Sequence, residues 1–329
     1  MNQHWLIPGL ISAAIISVLA ACFLGATPMA VGRIISALVR QGDQSDVTIL
    51  WQIRLPRALA AFIVGAALGT SGAALQGLLR NPLAEPGILG VSASASLGAT
   101  FVLYYGLAAV SAWVVPSAAI LGALLATSLI TFAAIRVRSV VTLILVGVGL
   151  SSFSGAMMTL LMNLAPNPFS LSDLINWMLG SVANRSFVDL AFVAPFLLAG
   201  FAILFTTKRG LTALTLGEEA ASGIGLDIKR QRILVVLGAG LLSGAAVAVA
   251  GAIGFVGIIA PHVVRPFVDY DPARTLLPSA LLAGVILVIA DVAVRLAPTS
   301  NELKLGVVAA LIGAPAFVWI AMQRRAAAA

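Results

Sequence analysis

Charge is what this chain has least of. Of its 329 residues only 9% are Asp, Glu, Lys or Arg, where a soluble globule keeps roughly a quarter. The sequence is 60% hydrophobic with a mean hydropathy of +1.08, which excludes a soluble domain and indicates a membrane protein with several spans. There is one cysteine, Cys22, so an intrachain disulfide and a cysteine metal site are both excluded. The two histidines, His4 and His262, are far apart in sequence and argue against a metal centre. A phosphate-binding loop is lacking too. The three lysines follow Thr207, Ile228 and Leu303, so no Gly-Lys-Ser/Thr sequence exists. The net charge of +7 comes without a basic cluster interleaved with aromatics, which speaks against nucleic acid. The arginines instead sit at the ends of apolar runs, as topology signals do.

Apolar runs of spanning length cover about 5–26, 55–79, 88–109, 112–135, 139–164, 187–207, 231–250, 274–296 and 305–322, and a further run covers 252–268. The stretch ending "VLAAC" at Cys22 looks like a lipoprotein cleavage box. But "MNQHW" carries no Lys or Arg, so 5–26 reads as the first membrane helix. Lys229, Arg230 and Arg232 precede one run, and Arg265 and Arg274 bracket the end of the next. If both clusters are cytoplasmic, the chain crosses out and back between them. That gives ten crossings with both termini cytoplasmic. Arg80, Arg136, Arg138, Lys208, Arg209, Arg324 and Arg325 then also lie inside, and Arg33, Arg40, Arg54, Arg57, Arg185, Arg295 and Lys304 lie outside.

The expected organisation is a single all-α transmembrane domain over 1–329. The segments 27–54 and 165–186 are external, the latter with a short helix near 171–182 begun by Ser170 or Ser172, and Trp177 at the interface. The longest cytoplasmic insertion is 208–230. "GAALGTSGAALQG" at 65–77 and "GAGLLSGAAVAVAG" at 238–251 form a faint repeat that would run in opposite directions, an inverted repeat of the kind transporters use; chance likeness of Gly/Ala-rich helices is the other reading.

Within "RNPLAEPGILGVSASASLGA", positions 80 to 99, Pro82 and Pro86 flank Glu85 and break the helix between two spans. From Arg54 to Ala99 the sequence resembles the membrane permease of the type II ATP-binding-cassette importers, which take up iron-siderophores, haem and vitamin B12. "GAIGFVGIIAPHVVR" at 251–265 and "LGEEAASGIGLDIKRQR" at 216–232 are two more motifs similar to that family, in the same order. The resemblance implies ten helices per subunit, a homodimer in the bacterial inner membrane, a cytosolic ATPase dimer and a periplasmic substrate-binding protein. It implies no cofactor on this chain, with ATP and magnesium used by the ATPase.

The resemblance also assigns residues. Gly217, Glu218, Glu219, Ala220, Gly223 and Gly225 fall in the loop, about 212–227, that forms two short coupling helices on the ATPase; a solvated charged loop is the alternative. Arg54, Arg57 and Arg295 match positions that receive acidic residues of the binding protein, a task suited to the planar guanidinium; interfacial snorkelling is the alternative. Asn81 and Leu83 match the cytoplasmic gate. A Thr-Ser pair that completes the gate in some relatives is replaced here by Val140 and Val141. Asp291, one turn before Arg295, is either a functional intramembrane carboxylate or half of an i,i+4 ion pair. His262 reads as structural. The leading expectation is the pathway-forming subunit of an ATP-driven importer, with a ferric siderophore as first cargo and haem or cobalamin next. An ion-coupled secondary transporter and an intramembrane enzyme are the rivals.

Overall fold

The computed structural model describes residues 3–25, 27–136, 140–298 and 302–327. Arg138 and the side chains of Val140, Arg324 and Arg325 lie outside what is described. Fifteen α-helices succeed one another: α1 Gln3–Phe23, α2 Val31–Leu38, α3 Gln44–Thr48, α4 Leu55–Leu79, α5 Val91–Tyr104, α6 Val114–Arg136, α7 Val140–Asn163, α8 Pro168–Met178, α9 Phe187–Thr206, α10 Lys208–Ala213, α11 Glu218–Gly223, α12 Ile228–Ala250, α13 Val256–Val264, α14 Pro272–Leu296 and α15 Leu305–Ala327. Among the described residues there is no strand. Seven helices are long and apolar enough to cross a membrane, and α5, α13 and α15 contribute three shorter apolar stretches. These are the ten apolar segments read from the sequence.

The doubtful boundary near 250 resolves as a break. Gly251 and Phe255 both have positive φ, and 251–255 is not helical. Beyond the break the chain forms α13 and then a 3-10 turn to Val268, so 252–268 is a separate, shorter element from α12.

Within 27–54, expected to be an external segment, residues 44–54 are helical and run on into α4. Helix is continuous from Gln44 to Leu79, with a π-helical turn at Ile49–Arg54. Pro56 lacks an N–H and its ring crowds the carbonyl four residues back, and the wider π turn sits where that conflict falls. Asp43 caps this long helix, its carboxylate accepting from the Ser45 N–H at 3.2 Å. The short helix expected near 171–182 is displaced. It spans Pro168–Met178, capped by Asn167, whose side chain accepts from the Ser170 N–H at 2.8 Å. Neither Ser170 nor Ser172 is the cap, because Pro168 takes the first helical position. Trp177 packs against the main apolar core.

Helices α4 and α12 are largely enclosed, while α1, α7 and α9 leave most of their apolar surface open. α4 packs against α14, α13 and α12. Small residues make this possible. A Cβ at Gly65 would strike the Ala283 carbonyl, and one at Gly72 the Gly257 carbonyl. Backbones that approach this closely gain dispersion contact that larger side chains would prevent. The two repeat-like stretches meet here, the Ser71 hydroxyl donating to the Ala239 carbonyl at 3.3 Å. Each leads into a helix break, 80–90 after α4 and 251–255 after α12.

Candidate functional site

The chemistry-bearing residues gather at two ends of the bundle. At one end lie the start of α4, the end of α14 and the end of α1. Here the three arginines assigned to docking come together, but none projects freely. Arg54 is buried; it donates to the carbonyls of Cys22 at 2.9 Å, Phe23 at 3.1 Å and Thr27. These are carbonyls at and just beyond the end of α1, which lack helical partners, and a cation suits that end of a helix. Arg295 adds bonds to Ala21 at 3.2 Å and Leu24 at 3.3 Å.

Arg57 turns the other way. Its Nε and Nη2 hold Asp291 through contacts of 2.8 to 3.1 Å. Its Nη1 reaches Glu302 at 3.3 Å, and its Nη2 also bonds that carboxylate. Asp291 is 3.1 Å from Arg295 Nε as well. The i,i+4 pair with Arg295 is therefore present, but Asp291 is a hub that serves two arginines rather than one. The Nη2 of Arg295 is buried and has no hydrogen-bond partner among the described residues. An open cleft of about 350 Å³ is lined by Arg54, Arg57, Arg295, Glu302 and the π turn. Three guanidinium groups face two carboxylates, so the cleft keeps an excess of positive charge.

The opposite end holds the helix break and the 208–230 loop. Arg80 caps α4 in a left-handed conformation, φ 48°. Asn81 folds the turn on itself, its side chain accepting from the Leu83 N–H at 3.0 Å. Gln76 braces the break from inside. Its amide donates to Ala84 at 3.0 Å and to Gly257 at 3.3 Å, and its oxygen accepts from Arg265. Glu85 ties the first break to the second, accepting from the Phe255 N–H at 3.2 Å at the start of α13. Burial pushes the Glu85 carboxyl above the usual carboxylate range, and the Phe255 bond opposes that shift. Val141 is exposed at the start of α7.

The loop forms α10, a 3-10 turn and α11, the compact pair of helices that the motif led one to expect. Gly217, φ 99°, joins the turn to α11, and Gly225, φ 90°, comes just after it; both are backbone states that side chains disfavour. Glu218 pairs with Arg232 at 2.6 Å, and Asp227 caps α12 by accepting from the Arg230 N–H at 2.9 Å. Glu219 and Ala220 are exposed, as is Gly223. A cleft of about 960 Å³ lies between this loop and the end of α6.

Sequence reasoning missed four residues here. Leu216 and Ile224, 67% and 68% exposed, flank α11 and place apolar surface on a loop outside the apolar helices. Gln76 and Glu302 are the others. Gln76 is the one amide in the α4 run, a signal that could have been pursued. Glu302 had no motif to mark it. Among the described residues no group of three or more His, Cys, Asp and Glu side chains is arranged to hold a metal.

Comparison with known proteins agrees with this architecture. Residues 13–323 match the FecCD transport family. The chain is 38% identical over 287 residues to the uncharacterized ABC transporter permease protein YvrB of Bacillus subtilis, covering 86% of this chain and 81% of that one. It is 40% identical over 279 residues to the vitamin B12 import system permease protein BtuC of Salmonella typhi, covering 83% of each. A solved structure described as an inward-facing metal-chelate type ABC transporter superposes with a TM-score of 0.86 at 29% identity, covering 96% of this chain and 98% of that one. The ten apolar segments, the helix breaks after α4 and α12 and the projecting α10–α11 loop thus belong together: the chain is an ABC importer permease of the FecCD transport family.

Proposed function

We propose that two copies of this chain form the pathway of an ATP-driven importer in a bacterial inner membrane, with both termini cytoplasmic. A separate ATPase dimer docks on α10 and α11 and uses ATP and magnesium. A periplasmic binding protein docks at the Arg54, Arg57 and Arg295 end and delivers an iron chelate or corrinoid. The observation that carries the reading is the α10–α11 loop. Its exposed Leu216 and Ile224 offer apolar anchors to a protein partner, and Glu219 lies beside them in open solvent. Buried apolar anchors with a polar rim are what protein interfaces are built from.

A ferric siderophore remains the first choice of cargo. Cobalamin gains weight from the relative named for vitamin B12 import, and a metal chelate from the structural neighbour. The ion-coupled reading loses ground because Asp291, its one strong coupling candidate, is held between Arg57 and Arg295. Growth of a deletion strain on defined ferric-siderophore, haem and cobalamin sources tests the cargo. Loss of growth on one source, restored by the gene, identifies it; normal growth on all three sinks the chelate reading. Native mass measurement in detergent tests the pairing of copies, and a strictly monomeric chain would remove the shared pathway.

A further inference from the structure

We infer that Glu302 is an internal stand-in for the docking partner's acidic group, so that docking proceeds by carboxylate exchange on Arg57. This rests on the docking reading above and adds a regulatory step to it.

Arg57 holds two carboxylates in unequal settings. The Asp291 side chain is 1% exposed, sits on α14 and is gripped through Nε and Nη2. The Glu302 side chain is 42% exposed, sits on the connector ahead of α15 and takes the Nη1 and Nη2 edge. A guanidinium offers two such edges, each matched to one carboxylate. The inner edge is committed to a buried partner. The outer edge faces the cleft and carries a carboxylate that is half in water. An incoming acidic side chain can reach only that outer edge, and it must displace Glu302 to do so.

The exchange is close to balanced. One carboxylate leaves the guanidinium for water as another arrives, so the net change is a difference between two similar part-buried pairs. Arg295 lines the same cleft and adds a second positive charge there, which draws the newcomer toward Arg57. Glu302 lies three residues before Leu305, the first residue of α15, and the Lys304 carbonyl accepts from Val307 and Val308 in the first turn. Release of Glu302 therefore frees the tether that ties the start of α15 to α4. Linkage is reciprocal: whatever loosens Glu302 from Arg57 tightens docking.

The test uses the full transporter in proteoliposomes and, as probe, the binding protein that stimulates its wild-type ATPase. E302Q and E302A should each bind that protein about three- to fivefold more tightly, because the internal competitor is weakened or gone. R57E should lose binding with basal ATPase retained, since the ATPase end lies across the bundle and its activity reports an intact fold. If R57E loses binding while E302Q and E302A bind equally or more weakly than wild type, exchange is overturned and docking stands. If R57E binds normally, the docking reading itself falls, and the exchange with it.

Discussion

Arg57 and Asp291, 234 residues apart in sequence, share three hydrogen-bond contacts of 2.8 to 3.1 Å where α4 meets α14. Neither residue has a comparable partner on its own helix except Arg295, one turn beyond Asp291. The pair closes one end of the central helix contact, and Arg295 carries the closure on to α1.

Removing one member should be costly. D291N leaves two buried guanidinium groups short of charge and should destabilise the chain by about 3–5 kcal/mol. Thermal unfolding in detergent reads the loss. The triple variant R57M/D291L/R295M should recover a good part of it, because it leaves neither buried guanidinium without its carboxylate. A triple variant no more stable than D291N would argue that the charge cluster is not the unit of stability.

The α4 crossing is tighter still. G72A places a methyl against the Gly257 carbonyl, and the two backbones must separate. Overpacking of this kind costs about 1–3 kcal/mol. Folded yield and unfolding temperature should both drop, while G9A, which meets nothing within 4 Å, should be neutral. Equal behaviour of the two variants would show that the crossing has slack.

The loop acids should separate by role. E218K breaks the pair with Arg232 and sets two cations together, so it should loosen the loop, and R232E added to it should restore order by exchanging the charges. E219K alters an exposed position and should weaken ATPase association with the fold intact. L216S/I224S should do so more strongly, by tenfold or more, since central apolar anchors dominate interfaces on the order of 2 kcal/mol each. Co-purification of the ATPase checks the set; full association of the apolar double variant would remove α11 from the interface.

Glu85 predicts a pH dependence. Its carboxyl is raised by burial, so the fold favours the neutral form. That contribution is complete below the ordinary glutamate range and is lost as pH rises through the higher folded value. Wild type should therefore lose stability relative to E85Q as pH rises above the ordinary glutamate range. E85Q keeps an acceptor for Phe255 but cannot ionise, so its own profile should be flatter. Parallel profiles would mean that folding leaves the affinity of Glu85 for its proton unchanged and would overturn the burial argument.

Much of the architecture was legible because it is periodic or compositional. Apolar length marked the ten segments, and charge placement separated α12 from the helix after Gly251. The prolines around Glu85 marked the first break, and the glycines of 217–225 marked the loop turns. The features that stayed hidden depend on pairings across long stretches of chain. Arg54 looked like a surface cation because the α1 carbonyls it satisfies lie about thirty residues earlier. The helix over 44–54, inside the segment read as external, was hidden because no local pattern shows Arg54 bonded to the carbonyls that end α1. Gln76 and Glu302 acquire meaning only from Arg265 and Arg57, which folding brings to them.

Cys22 lies at the capped end of α1, its thiol enclosed with Ile34, Ala37 and Leu50. The chain's lone sulfhydryl is thus shut beneath the arginine that holds its carbonyl. A water-soluble maleimide added to folded protein meets no native target, so spin labels or fluorophores can be installed on the unaltered background. Probes on α14 and on the exposed face of α7 would report distances within the chain and, in the proposed pair of copies, between them. The distances needed to track transport can be measured without first rebuilding the molecule.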